Sequence, residues 1–78
     1  MPEQRPLRLL SLFVDELERG AFHWFICERD PDSQNWEEVE SGGYPFEMWI
    51  DAWDDGCLAL HAQVGDMRIG PRQQTPGG

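Results

Sequence analysis

Two histidines and two cysteines are the residues of this chain with the clearest potential for chemistry. His23, Cys27, Cys57 and His61 make up a complete tetrahedral set of zinc ligands. Cys57 and His61 are one helical turn apart and could share an ion. On one strand, however, His23 and Cys27 lie about 13 Å apart at roughly 3.3 Å per residue, too far for metal bonds of about 2.0 to 2.3 Å. We therefore expect core cysteines and a histidine at a helix edge, with no metal site.

Carboxylates form the second chemical group. Glu47, Asp51, Asp54 and Asp55 share one face of a predicted helix, a pattern compatible with a cation site or an acid/base pair. Catalytic carboxylates need a pocket that perturbs their pKa, whereas these side chains are expected to project into water. We interpret them as a solvated face and, together with Trp36, as the candidate contacts for a partner protein.

Other binding motifs are incomplete. Asp30 and Asp32 resemble the opening of a calcium loop, but Asn35 stands where the loop needs glycine and Ser41 where it needs glutamate. The segment is interpreted as a hairpin turn.

Catalytic and phosphate-binding motifs are also missing from the sequence. It has no Gly-x-Ser-x-Gly motif and no phosphate-cradling glycine loop. Gly42 and Gly43 precede the predicted helix, where a phosphate could bind, but Pro45 removes an N–H donor there and neighbouring glutamates would repel an anion. The sequence therefore predicts a non-catalytic protein that needs no cofactor.

Charge and length limit the classes of function. The 78 residues carry a formal charge of −9, with six arginines and no lysine, which argues against direct binding of nucleic acid through its phosphates. We find no secretory signal and no apolar run near the roughly 20 residues of a membrane span. We expect a cytoplasmic protein without disulfides that does not bind membranes.

A single domain of this size is only marginally stable on its own, so self-association is the default expectation.

Three segments predict strands. Residues 7–14 alternate as a strand would, but they also fit a helix between Pro6 and Gly20, and we favour the strand because a clear strand follows. That strand covers residues 21–29, which are rich in aromatic residues. Residues 30–35 have turn chemistry throughout and lead into a third strand over residues 36–41. Residues 66–72 are a candidate short edge strand.

A helix is predicted over residues 44–64. Pro45 suits its first turn and Gly65 its end. One arc of the helix is apolar and is expected to be buried, and Gly56 within it predicts a close approach to the sheet. This arc consists of Phe46, Trp49, Ile50, Trp53, Gly56, Cys57, Leu60, His61 and Val64. With Trp24, the tryptophans at 49 and 53 are expected to fill most of the core.

These elements predict an α+β fold: a three- to four-stranded antiparallel meander sheet packed by one C-terminal amphipathic helix, in the order β-β-β-α. Residues 1–6 are a flexible arm, residues 7–70 a single domain and residues 71–78 a disordered tail. One helix covers one face of a sheet, so the other face, with Phe25 or Phe22 according to register, is left apolar and open. We expect a homodimer that buries it.

The order of elements also carries a resemblance. The helix contains Ala52, Gly56, Cys57, Ala59 and Leu60 in an A-x-x-x-G-[apolar]-x-A-[apolar] pattern, preceded by FHWFICE and WEEVES. This arrangement resembles the single repeat of the YegP-like family of small bacterial domains. The resemblance implies an antiparallel sheet packed by the helix, as paired repeats or as a dimer of single repeats, with no assigned biochemical role.

Three hypotheses about function follow from these observations. The leading one is a small acidic bacterial protein-interaction module that forms a homodimer through its sheet. The alternative is an acidic mimic of nucleic acid that occupies a basic nucleic-acid-binding protein, with Glu37, Glu38 and Glu40 extending the acidic helix face. The third is an enzyme whose site forms between subunits.

Overall fold

The computed structural model of the protein describes residues 5–73. The elements follow the order β1 (Leu9–Glu18), β2 (Ala21–Arg29), β3 (Trp36–Ser41) and α1 (Trp49–Ala62). The strands form one antiparallel sheet with the spatial order β1-β2-β3, and α1 packs on β1 and β2. The predicted β-β-β-α fold is confirmed, with three strands in the sheet.

The first segment is a strand. β1 pairs with β2 from Leu9 opposite Arg29 to Glu18 opposite Ala21, which confirms the interpretation of alternation as strand. The connection is a two-residue turn in which Gly20 has a φ of 79°, a conformation that glycine adopts without steric cost. The Glu16 carboxylate accepts a hydrogen bond of 2.7 Å from the Gly20 N–H.

The β2–β3 connection is the predicted hairpin turn. Asp30 organises it, because its carboxylate accepts a 2.8 Å hydrogen bond from the Asp32 N–H, while its own N–H donates to the Asn35 carbonyl at 2.8 Å. Such local bonds are what an Asx turn provides. The calcium-loop resemblance is thus accounted for by a turn.

The helix is shorter than predicted. Phe46 does not belong to it: its N–H and carbonyl both pair with Phe22 at 2.8 Å, in an isolated bridge. This bridge holds the chain extended past Pro45, so α1 begins at Trp49. Its last residue is Ala62, before Gly65, with Gln63 still in a right-handed helical conformation as the C-cap.

The buried face of α1 is centred on small residues and not on the predicted aromatic arc. Ala52 and Gly56 are the buried positions of the helix. Trp49 and Ile50, predicted to be buried, are 47% and 46% exposed, and Trp49 stacks on Trp53 with ring centroids 5.4 Å apart. The helix is therefore rotated relative to the prediction.

The close approach predicted at Gly56 is confirmed, and it explains the rotation. A Cβ atom there would lie 2.7 Å from Leu12 Cδ1 and 3.0 Å from Trp24 Cβ. Only the smallest residues allow α1 to lie this close to β1 and β2. The aromatic side chains are displaced to the flanks of the helix.

The core is small. Among residues 5–73, the buried hydrophobic residues are Trp24, Ile26 and Ala52. Trp24 fills the core as predicted, whereas Trp49 does not.

The segment after the helix is a turn and not the predicted edge strand. The Asp66 carbonyl accepts hydrogen bonds from the N–H groups of Ile69 and Gly70. Beyond this turn, an isolated bridge joins Arg72 to Leu7, so residues 71–73 run beside residues 6–8. The rest of the predicted arm and tail, residues 1–4 and 74–78, lies outside the described residues. Within residues 5–73, no helix has the length and apolarity that crossing a membrane requires.

Candidate functional site

The two faces of the sheet differ in what covers them. Leu12 and Trp24 point toward α1, as their distances to Gly56 show, and their registered partners share that side. The alternate residues point away from the helix, and we call them the open face. The open face consists of Leu9, Ser11, Phe13 and Asp15 on β1, His23, Phe25, Cys27 and Arg29 on β2, and Trp36, Glu38 and Ser41 on β3.

The centre of the open face is aromatic. Phe13 lies opposite Phe25, and their rings stack with centroids 5.2 Å apart. His23 extends this stack, with its ring 6.5 Å from that of Phe25. Phe13 remains 44% exposed and Leu9 42% exposed. Such cross-strand aromatic pairs stabilise a sheet, but here they leave a large apolar surface in contact with water.

The ends of the open face carry opposite charges. Asp15 lies opposite His23 near one end, and Arg29 lies between Leu9 and Trp36 at the other. Glu38 lies beside Cys27 on the edge strand. With neutral histidine, the open face has a net charge of −1 from these three groups, against −9 for the whole chain.

The candidate contact residues do not form one site. Trp36 is 53% exposed and belongs to the open face. Glu47, Asp51 and Asp54 are also exposed, but they lie on and just before α1, on the other side of the sheet. Trp36 and the acidic helix face are therefore two separate surfaces.

Asp55 has a different role from the other helix carboxylates. It was expected to project into water, but its Oδ2 accepts a 2.7 Å hydrogen bond from the indole Nε1–H of Trp24, and its side chain is partly buried. Since a buried indole N–H needs an acceptor, Asp55 is a structural residue of the helix–sheet interface.

The acidic residues of β3 do not continue the helix face as a single stripe. Glu38 lies on the open face, while Glu40 pairs with the buried Ile26. Glu40 accepts a 2.8 Å hydrogen bond from Gln63 Nε2. The strand pleat thus separates carboxylates that are neighbours in the sequence.

The histidines and cysteines are also separated. His23 and Cys27 lie on the open face, whereas Cys57 and His61 lie on α1, across the sheet. In residues 5–73, no group of three or more His, Cys, Asp or Glu residues is placed to hold a metal ion.

An ion pair that the sequence does not indicate ties the residue just before β1 to β2 on the helix side. Arg8 donates from Nε and Nη2 to the two carboxylate oxygens of Glu28 at 3.0 and 2.9 Å, and from Nη1 to the Gln63 side chain at 3.2 Å. The Arg8 hydrogen bond lowers the pKa of the Glu28 carboxyl, and the same bond raises the pKa of Arg8. The sequence holds no signal for this pair, because its members are twenty positions apart and meet only through the strand register.

Comparisons with protein families, curated proteins and solved structures give no match to this chain. The resemblance to the YegP-like family therefore stays a prediction.

Proposed function

We propose that this chain is a small acidic, non-catalytic protein-interaction module that works as a homodimer, with the open faces of two copies packed against each other. The observation that carries the proposal is the stacked Phe13–Phe25 pair, with Phe13 44% exposed, at the centre of a sheet face that α1 does not cover. Exposed apolar patches of this kind mark interaction sites. The small core of the described residues adds a reason, since burial between copies supplies the apolar contacts that a lone copy lacks.

The charges favour a second copy of this chain as the molecule that packs on the open face. Two copies each carrying −9 repel each other, so a dimer interface must avoid most of the acidic surface, and the open face does so with a net charge of −1. In a two-fold arrangement with the strands of the two copies antiparallel across the interface, the Arg29 end of one copy meets the Asp15 end of the other. Charge complementarity then sets the register of the dimer.

The proposal places the protein in the cytoplasm, where Cys27 and Cys57, both free, stay reduced. A dimer of single repeats would also agree with the resemblance to the YegP-like family. The function of the dimer is to present the two acidic helix faces, with Glu47, Asp51 and Asp54, to a basic partner protein.

Molar mass in solution tests the dimer. Light scattering on the purified chain at low and high salt is expected to give twice the chain mass of 9.0 kDa, because the interface is mainly apolar and resists salt. Phe13→Glu places a charge at its centre and is expected to give a monomer. Leu58→Glu is the matched control, since Leu58 is 70% exposed on the helix and lies away from the open face. A wild-type chain that stays at 9.0 kDa at high concentration refutes the proposal.

Charge reversal tests the orientation of the two copies. Asp15→Arg and Arg29→Asp are each expected to weaken the dimer, because each brings like charges together, and the double variant is expected to restore it. A double variant as weak as the sum of the single variants excludes the antiparallel arrangement.

The alternative, an acidic mimic of nucleic acid, uses the helix face and not the open face. It requires binding to a basic protein that is lost as salt rises, and that is abolished when Glu47, Asp51 and Asp54 are replaced by their amides. Asp55 is left unchanged in this variant, because it bonds to Trp24. Loss of binding in this variant while the dimer persists would show that the helix face binds the basic protein, and equal binding before and after the change would exclude the mimic. Competition between the chain and nucleic acid for the basic protein would support the mimic, and simultaneous binding of both would exclude it.

A further inference from the structure

A cavity of about 760 Å³ lies at the end of the molecule where residues 5–8 and 71–73 run side by side. Its wall has an unusual charge for this protein. Among residues 5–73, three arginines line it, Arg5, Arg8 and Arg72, against two acidic residues, Glu28 and Asp66. These five described charges sum to +1, in a chain of −9.

Both carboxylates of the wall are already paired. Glu28 binds the guanidinium of Arg8 through both oxygens. Asp66 accepts hydrogen bonds from Nε and Nη2 of Arg68 at 3.2 and 3.1 Å, and this pairing lowers the pKa of its carboxyl. Neither carboxylate is therefore engaged with Arg72.

Arg72 presents a donor with no acceptor. Its Nη1 donates to the Arg5 carbonyl at 3.2 Å. Its Nε is buried and has no hydrogen-bond partner among residues 5–73. Buried polar groups are nearly always hydrogen-bonded, and a cationic donor left without a partner beside a cavity indicates an acceptor that residues 5–73 do not supply.

Backbone hydrogen bonds fix the main chain on both sides of Arg72. The Arg8 N–H donates to the Pro71 carbonyl at 2.8 Å, and the Gln73 N–H donates to the Pro6 carbonyl at 2.9 Å. Gly70, with a φ of 78°, allows the turn that leads into this pairing. The arginine is thus anchored on both sides and is not a free surface side chain.

We propose that this cavity binds a small oxyanion, whose carboxylate or phosphate oxygens accept hydrogen bonds from the guanidinium of Arg72. Guanidinium groups match the oxygens of both anions in a side-on, two-bond geometry through Nε and a terminal nitrogen. Because the chain covers Nε, the anion reaches it only when residues 71–73 open against the two backbone hydrogen bonds that hold them. The Arg8–Glu28 pair forms a fixed wall. This site lies apart from the open face, and its existence does not depend on the dimer.

Titration of the ¹⁵N-labelled full chain, followed by NMR, tests the site. Inorganic phosphate and succinate are the two probes, each compared with sodium chloride at the same ionic strength. We expect saturable shifts of the Arg72 Nε–H resonance and of the backbone amides of residues 66–70, 72 and 73, with none at the open-face residues His23 and Phe25. Saturation by phosphate alone identifies a phosphate site, and saturation by succinate alone a carboxylate site. The absence of saturable shifts with both probes overturns the proposal.

Variants show whether Arg72 is responsible. Arg72→Gln is expected to raise the Kd at least tenfold, and Arg72→Lys to raise it less, because lysine keeps the charge but loses the two-bond geometry. Arg19→Gln is the matched control, since Arg19 is exposed and does not line the cavity. An unchanged Kd in Arg72→Gln refutes the assignment. If that variant does not fold, the shift map of the wild-type chain and the Kd of Arg72→Lys decide.

Discussion

At the scale of single residues, Trp24 organises the interface between helix and sheet. A Cβ added at Gly42 would lie 2.8 Å from its Nε1, and one at Gly56 would lie 3.0 Å from its Cβ and Cγ. The indole therefore fits between two glycines, one from the chain after β3 and one from α1. Asp55 completes the arrangement by accepting the indole N–H. Gly42, Asp55 and Gly56 thus all contact or make room for the side chain of Trp24.

Asp55→Ala is expected to destabilise the protein by about 1 to 3 kcal/mol, because it leaves the buried Trp24 N–H without its acceptor. Urea unfolding followed by tryptophan fluorescence measures the change. Asp54→Ala is the control: Asp54 is exposed, so its loss should stay within about 0.5 kcal/mol. Equal effects of the two substitutions would show that the Trp24–Asp55 bond does not contribute to stability.

The Arg8–Glu28 pair predicts a pH dependence. The pKa of Glu28 is lowered in the folded protein from its ordinary value of 4.5, first by the hydrogen bond from Arg8. A lowered pKa means that the contribution of Glu28 to stability is present above about pH 4.5 and is lost as the pH falls through the folded-state value. The difference in unfolding free energy between wild type and Glu28→Gln should therefore be constant from about pH 7 to 5 and then shrink. We expect it to stay near or below about 1 kcal/mol, because solvent reaches the pair. A difference that grows on acidification would contradict this assignment.

At the scale of secondary-structure elements, small residues determine how α1 lies on the sheet. Ala52 is fully buried and Gly56 contacts Leu12 and Trp24, so the helix axis comes close to the strands. The larger residues Trp49 and Ile50 remain half exposed as a result. Shape, and not hydrophobicity alone, decides which side of this helix is buried.

Gly56→Leu is expected to destabilise the fold by about 1 to 3 kcal/mol through overpacking, measured as a shift of the urea midpoint. Gly65→Leu is the control, because a Cβ at Gly65 meets nothing within 4 Å. A Gly56→Leu variant as stable as wild type would mean that α1 moves away from the sheet without cost.

The elements differ in how far the sequence alone could predict them. Local patterns predicted all three strands and the turn at residues 30–35, because alternation and turn chemistry act between neighbouring residues. The predicted start of α1 was wrong because Phe46 pairs with Phe22, a contact between distant positions. The predicted buried face of the helix was wrong for a similar reason, since Trp24 on β2 determines which helix residues fit against the sheet.

The open face and the arginine-lined cavity also differ in how far the sequence alone could predict them. The open face was predicted from the pleat of the strands and from the presence of one helix, both local features. The cavity was not, because its arginines come from the two opposite parts of the chain, around positions 5–8 and 72. Nothing in their spacing indicates that they meet.

At the scale of the whole molecule, the protein is thin. Its extents are 47 × 27 × 16 Å and its radius of gyration is 14.5 Å, above the roughly 11.5 Å expected for a compact domain of this length. The shortest extent has room for one sheet and one helix, with stacked layers about 10 Å apart. Packing two open faces together would bury each sheet between two layers, which is the usual arrangement of a stable domain.

The hydrogen bond from the Gln73 N–H to the Pro6 carbonyl also has a consequence for engineering. Because the first and last described segments meet there, a short flexible linker can join them, and new termini can be opened in the exposed turn at residues 31–35 without interrupting a strand. A circular permutant of this design would keep the sheet order and the open face. It would also place any affinity tag at the turn of residues 31–35, away from the arginine-lined cavity that Arg5 and Gln73 line.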